Sequence, residues 1–111
     1  MTHFDPAEYQ QITDIRVAAE TYAAQCDDAV ISKTNANSMI YKTKLFDLYS
    51  GELPHNGDGA NAATALNDIA MGLAIKYNNG EKVSPLFCKL KFQGIQHSAD
   101  VIRHVLANRP R

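Results

Sequence analysis

The stretch from Ser84 to Ala107, SPLFCKLKFQGIQHSADVIRHVLA, places apolar residues at Cys88, Phe92, Ile95, Ala99, Ile102 and Leu106. Alternating steps of four and three put all six on one face of a helix. One amphipathic helix cannot bury such a face alone, so the rest of the chain must cover it. Near the N-terminus, Ile12, Ile15, Ala19, Tyr22, Cys26 and Ala29 repeat the same alternation. This segment is the expected mate of the last helix.

Helix boundaries follow from capping chemistry. Asp5, Pro6 and Glu8 read as a cap, a first-turn proline and an early acid, opening a helix over about 5–30. The polar run Ser32-Lys33-Thr34-Asn35-Ala36-Asn37 should end it, because these side chains compete with a helix interior and serve caps well. A second helix, about 37–50, would present Tyr41, Leu45 and Leu48, flanked by Met39, Phe46 and Tyr49, with Gly51 as its stop. The stretch ELPHNGDG, residues 52–59, is dense in turn formers and reads as a loop whose Asp58 caps a third helix over 58–78. That helix carries Ala62, Leu66, Ile69, Leu73 and Tyr77, with Ala63, Ala70 and Ala74 beside them to allow close approach. Ser84 and Pro85 open the fourth, about 84–107. Short connections between four helices predict one all-α domain over 1–111, an antiparallel up-down-up-down four-helix bundle.

Composition narrows the function classes. Eleven basic residues against 12 acidic ones leave a net charge of -1, so no overall field draws polyanions and nucleic-acid binding is disfavoured. Arg103, His104, Arg109 and Arg111 gather near the C-terminus, where a helix dipole favours cations, and no aromatic is interleaved for base stacking. A nucleic-acid-associated accessory role is a minor alternative. No apolar stretch suits a membrane span, and MTHFDPAEYQQ lacks a basic and an apolar signal region, so the expected location is cytoplasmic, or periplasmic if a signal has been removed.

Up-down-up-down topology puts the end of the first helix beside the start of the fourth, so Cys26 and Cys88 could meet. A disulfide there would close a loop of about 60 residues and contribute about 3 to 4 kcal/mol. The plainer reading is two small buried thiols in a reducing compartment. An enzyme reading centres on Cys88, which stands early in its helix between Lys89 and Lys91, where the dipole and the cations favour a thiolate. His97, Asp100 and His104 share one face of that helix and could contribute metal ligands, although the set lacks a fourth and matches no HExxH pattern. The plainer reading is a solvated polar face. Asn56-Gly57-Asp58-Gly59 resembles the middle of a calcium loop, but Pro54 and Ala65 occupy the positions that need acids. Neither a catalytic set nor a metal or other cofactor is expected.

The remaining candidate is a binding surface. Glu52, Leu53, Pro54, His55 and Asn56 form a proline-stiffened loop whose Leu53 and His55 should be exposed, suited to contact another protein. Surplus apolar residues at Tyr41, Phe46, Tyr49, Leu90 and Val101 suggest a homodimer. Two helical cysteines, with Leu86-Phe87-Cys88 followed by His97-Ser98, resemble the amidase immunity proteins of type VI secretion systems. The resemblance is one of pattern over the last quarter of the chain and the two cysteine positions. It implies a helical, often dimeric, periplasmic inhibitor that inserts a loop into an enzyme's active site, although such proteins normally carry a signal peptide. The function expected from the sequence is a non-catalytic protein-binding module of inhibitor, immunity or adaptor type. Its alternative is a thiol- or metal-dependent enzyme.

Overall fold

The computed structural model describes residues 2–111. Four helices follow in order, α1 (Pro6–Ala23), α2 (Ala29–Glu52), α3 (Gly57–Asn78) and α4 (Pro85–Ala107), with no strand among the described residues. They form the expected antiparallel up-down-up-down bundle, 44 × 22 × 16 Å. The closest pairings are α1 with α4 and α2 with α3, while α3 and α4 approach each other least of the neighbouring pairs.

The α1–α4 seam is the one read from the sequence. Ile12, Ile15 and Ala19 are buried against Cys88, Phe92, Ile95, Ala99 and Leu106, with Tyr22 and Ile102 partly buried at the edge. Caps fix the register at both starts. Asp5 accepts from the Glu8 N–H at 2.9 Å ahead of Pro6, and Ser84 accepts from the Phe87 N–H at 3.1 Å ahead of Pro85.

The first connection departs from expectation. Helix α1 stops at Ala23, the turn is 24–28, and Asp28 caps α2 by accepting from the Ile31 N–H at 3.0 Å. The polar run 32–37 therefore lies inside α2, and Ala29 is exposed at its start. Ser32, Asn35 and Asn37 are satisfied by tertiary contacts, which removes their reason to break the helix. The Ser32 hydroxyl donates to the Gln25 carbonyl at 3.2 Å, and Asn35 donates to the Gln25 side chain at 2.7 Å. Asn37 and Asn78 exchange amide hydrogen bonds of 3.1 and 2.9 Å across α2 and α3.

A longer α2 also turns a different face inward. Ser32, Ala36, Met39, Thr43, Phe46 and Ser50 face the core, whereas Tyr41, Leu45 and Leu48 point outward, Tyr41 with 72% of its surface exposed. The inward stripe keeps the three-and-four alternation but is half polar, and the more apolar outward stripe masks it in the sequence. Thr43 is accommodated by donating to the Met39 carbonyl at 2.8 Å and accepting from the Asn67 amide at 2.8 Å, a buried link between α2 and α3. Phe46 is fully buried, so it is no part of a surplus apolar surface, and Tyr49 is half-buried. On α3 the core is Ala63, Leu66, Ala70, Leu73, Ala74 and Tyr77, while Ala62 and Ile69 sit at its edge. Gly51 is helical rather than a stop.

Cys26 and Cys88 are joined in a disulfide with Cα atoms 5.8 Å apart, in place of the buried free thiols that were the plainer reading. The bond ties the α1–α2 turn to the first turn of α4, at the end of the bundle where up-down-up-down topology puts both. Closing a separation of 62 residues removes denatured-state entropy equivalent to about 4 kcal/mol in the chain-entropy model. Cys26→Ser/Cys88→Ser should therefore lower unfolding free energy by about 2 to 5 kcal/mol in urea titrations, and a reducing agent should shift the wild-type midpoint toward that of the variant.

Candidate functional site

At the opposite end of the bundle, a cluster of buried polar groups joins both chain termini to the α2–α3 connection. Glu8 is fully buried, and Arg109 donates from one guanidinium nitrogen to its Oε1 at 2.9 Å. The other carboxylate oxygen accepts from Ser50 Oγ at 2.8 Å and from Asn56 Nδ2 at 2.9 Å. Asn56 Nδ2 also donates to the Ser50 carbonyl at 3.0 Å, and its Oδ1 accepts from the second terminal nitrogen of Arg109 at 2.7 Å. Every charge in this cluster has an opposite partner and every carboxylate and carbonyl oxygen named has a donor, which is what makes burial of an ion pair tolerable.

The chain ends close around it. The Phe4 N–H donates to the Pro110 carbonyl at 2.7 Å, the Arg111 guanidinium lies 3.9 Å from the Phe4 ring centroid, and Thr2 Oγ1 donates to the Pro54 and His55 carbonyls. The Tyr49 hydroxyl donates to both oxygens of Asp5 at 2.9 and 3.0 Å. The hydrogen bond to Asp5 and, after it, desolvation push that hydroxyl above its ordinary value of 10.0.

Held by these contacts, the connection is shorter than the eight-residue loop expected. Only 53–56 lie outside helices. Asn56 is the N-cap residue of α3 but makes no side-chain cap bond, because its amide is committed to Glu8, Ser50 and Arg109; Asp58 lies within the first turn of α3 and is not its cap. Asn56 is thus an internal anchor rather than a surface contact. Leu53 is half-buried, and Glu52, Pro54 and His55 are exposed. His55 adopts φ +58, the left-handed region that non-glycine residues seldom occupy. The surrounding bonds over-determine the backbone there, and His55 projects beside a cleft of about 540 Å³ lined by Thr2, Asp58, His104 and Asn108 as well.

The other candidates are not brought together. Both cysteine sulfurs are in the disulfide, Cys88 is fully buried, and no free cysteine remains among the described residues. Asp100 Oδ1 accepts from Arg16 on α1 at 3.1 Å and from Arg103, three residues along α4, at 3.2 Å. The hydrogen bond to Asp100 in turn raises Arg16 above its ordinary value. His97 lines a cleft shared with α3, and His104 lines the cleft beside His55. No cluster of three metal-ligating side chains exists among the described residues.

In the sequence Glu8 is a first-turn acid, Ser50 an ordinary serine and Arg109 a C-terminal cation. Spacing is the signal that marks the first two. Glu8 stands four residues before Ile12 and Ser50 four after Phe46, so both extend core seams at the same end of the bundle, whereas Arg109 lies beyond the last turn of α4 and no helical spacing marks it.

No family model, curated protein or solved structure matches the chain.

Removing Arg109 would leave a buried carboxylate without its counter-charge. Arg109→Ala should cost about 3 to 5 kcal/mol in chemical denaturation, whereas Lys33→Ala on the exposed face of α2 should stay within about 0.5 kcal/mol.

Proposed function

We propose that the protein is a non-catalytic protein-binding module, of inhibitor, immunity or adaptor type, that engages its partner through the 52–55 segment. One observation carries this reading: an exposed connection with a left-handed His55 is fixed from beneath by the Glu8–Ser50–Asn56–Arg109 cluster. A loop held in one conformation before binding loses little entropy when it docks, so exposed side chains at Glu52, Pro54 and His55 keep more of their contact energy. Leu53, half-buried, would contribute an apolar edge. Strain maintained by a dedicated buried network is a common mark of a working segment.

The Cys26–Cys88 bond supports a place in an oxidising compartment rather than the cytoplasm expected from the sequence. It also withdraws support from the thiol-enzyme alternative, which needed Cys88 as a free thiolate. A homodimer is part of the proposal, resting on Tyr41 and Leu90, both more than half exposed and outside the α3–α4 cleft that Val101 lines.

The test is capture of binding partners by wild-type protein and by Leu53→Ala/His55→Ala, under conditions where both show the same helical content. The variant should retain its fold and lose at least about tenfold in affinity for the captured partner, as expected when a contact cluster is truncated. Equal recovery of the same partner by both proteins would rule the segment out as the contact.

A further inference from the structure

Helices α3 and α4 make the shallowest seam in the bundle, and two clefts lie along it, of about 260 and 230 Å³, sharing Ile69. They merge into one trough running from Ala62 to Lys76 on α3, a length of about 21 Å at helical rise. Its α3 wall is a second alternating stripe, Ala62, Ala65, Ile69, Gly72 and Lys76, distinct from the core stripe of that helix. Its α4 wall carries Phe87, Lys91, Ser98 and Val101, and the same three-and-four spacing places Gly94 on that face of the helix.

Two helix-interior glycines belong to these faces, Gly72 in the α3 wall and Gly94 by its spacing on α4. A glycine there weakens a helix relative to alanine and leaves room for another backbone to come close. Neither Gly72 nor Gly94 has positive φ, and a Cβ built on either meets nothing within 4 Å. Nothing inside the bundle calls for them. The rims are also charged unevenly. Lys76 and Lys91, on opposite walls, place their ammonium groups 5.4 and 5.3 Å from the Phe87 ring centroid. Lys76 has only a 3.7 Å contact with Glu81, and no carboxylate pairs with Lys91 among the described residues. Asp68 is the acid on the trough, two turns up α3 from Lys76.

We infer that the α3–α4 trough docks an amphipathic helix of a partner protein, with its apolar stripe on Ile69 and Val101 and its carboxylates between Lys76 and Lys91. Small residues on both walls let the two backbones approach, and the lysine pair fixes the direction of the incoming helix, since reversing it would carry its carboxylates to the Ala62–Val101 end, away from both ammonium groups. This surface is separate from the 52–55 segment and does not depend on its role.

The experiment titrates isotopically labelled protein with two synthetic amphipathic peptides of about 15 residues, long enough to span the trough. Both carry the same leucine and alanine stripe; one has glutamates flanking it at one end, the other lysines. The glutamate peptide should shift the Gly72 and Gly94 amides and bind at least about tenfold tighter than the lysine peptide, with Lys76→Glu/Lys91→Glu reversing the preference. Gly94→Leu should keep the melting temperature and block binding. Failure of the glutamate peptide to bind, equal binding of both peptides, or shifts confined to other surfaces would overturn the inference. Sedimentation run alongside identifies a second copy as occupant: concentration-dependent dimers that shift the same amides would also overturn it.

Discussion

The ion pair between Glu8 and Arg109 is the interaction on which the far end of the bundle depends. Glu8 stands on the core seam of α1 at a position that would ordinarily be apolar and is fully buried, and Arg109, partly buried just beyond α4, supplies its counter-charge. An isolated carboxylate at that depth would cost several kcal/mol, so the pair is sustained only together with Ser50 and Asn56, which supply the remaining donors and acceptor. The four residues come from the start of α1, the end of α2, the connection that follows it, and the segment after α4. A single polar cluster thus sets where the chain begins, where it ends and how 53–56 runs between α2 and α3. The left-handed backbone of His55 is a consequence, since a four-residue connection pinned at Asn56 leaves little other path.

The two ends of the bundle are closed by different chemistry. One has the Cys26–Cys88 bond between the α1–α2 turn and α4, and the other has the Glu8–Arg109 cluster. Between them α1 pairs with α4 and α2 with α3, so the covalent bond and the ion pair both reinforce the α1–α4 side. The seam between α3 and α4 receives neither. That asymmetry explains why the trough lies there, and why its walls tolerate glycine without loss of the fold.

The fold class was legible because both α1 and α4 carry clean apolar stripes, with Asp5-Pro6 and Ser84-Pro85 marking their starts. Helix α2 is hard to read from sequence because its inward face is half polar. Ser32, Asn35, Thr43 and Ser50 look like solvent-facing or breaking residues until Gln25, Asn67 and Glu8 are seen to satisfy them, whereas Tyr41, Leu45 and Leu48 look like core and are not. Local propensity gave way to tertiary hydrogen bonding. For the candidate site, the sequence indicated Leu53, Pro54 and His55 through turn chemistry, but the buried role of Asn56 depends on Glu8 and Arg109, which lie 48 and 53 residues away. Contacts that distant leave at most seam spacing as a trace. The disulfide was foreseeable as geometry, since topology brought its ends together, but oxidation state is not written in the spacing of two cysteines.

A double-mutant cycle with Glu8→Gln and Arg109→Met, read by urea denaturation, tests the central role of the buried pair most directly. If the cluster acts as one clamp, each single change leaves a partner stranded and the double change is less harmful than their sum, with a coupling free energy above about 1 kcal/mol. Single effects that add to within about 0.5 kcal/mol would contradict it, and would mean that Glu8 and Arg109 are held by their neighbours independently of each other.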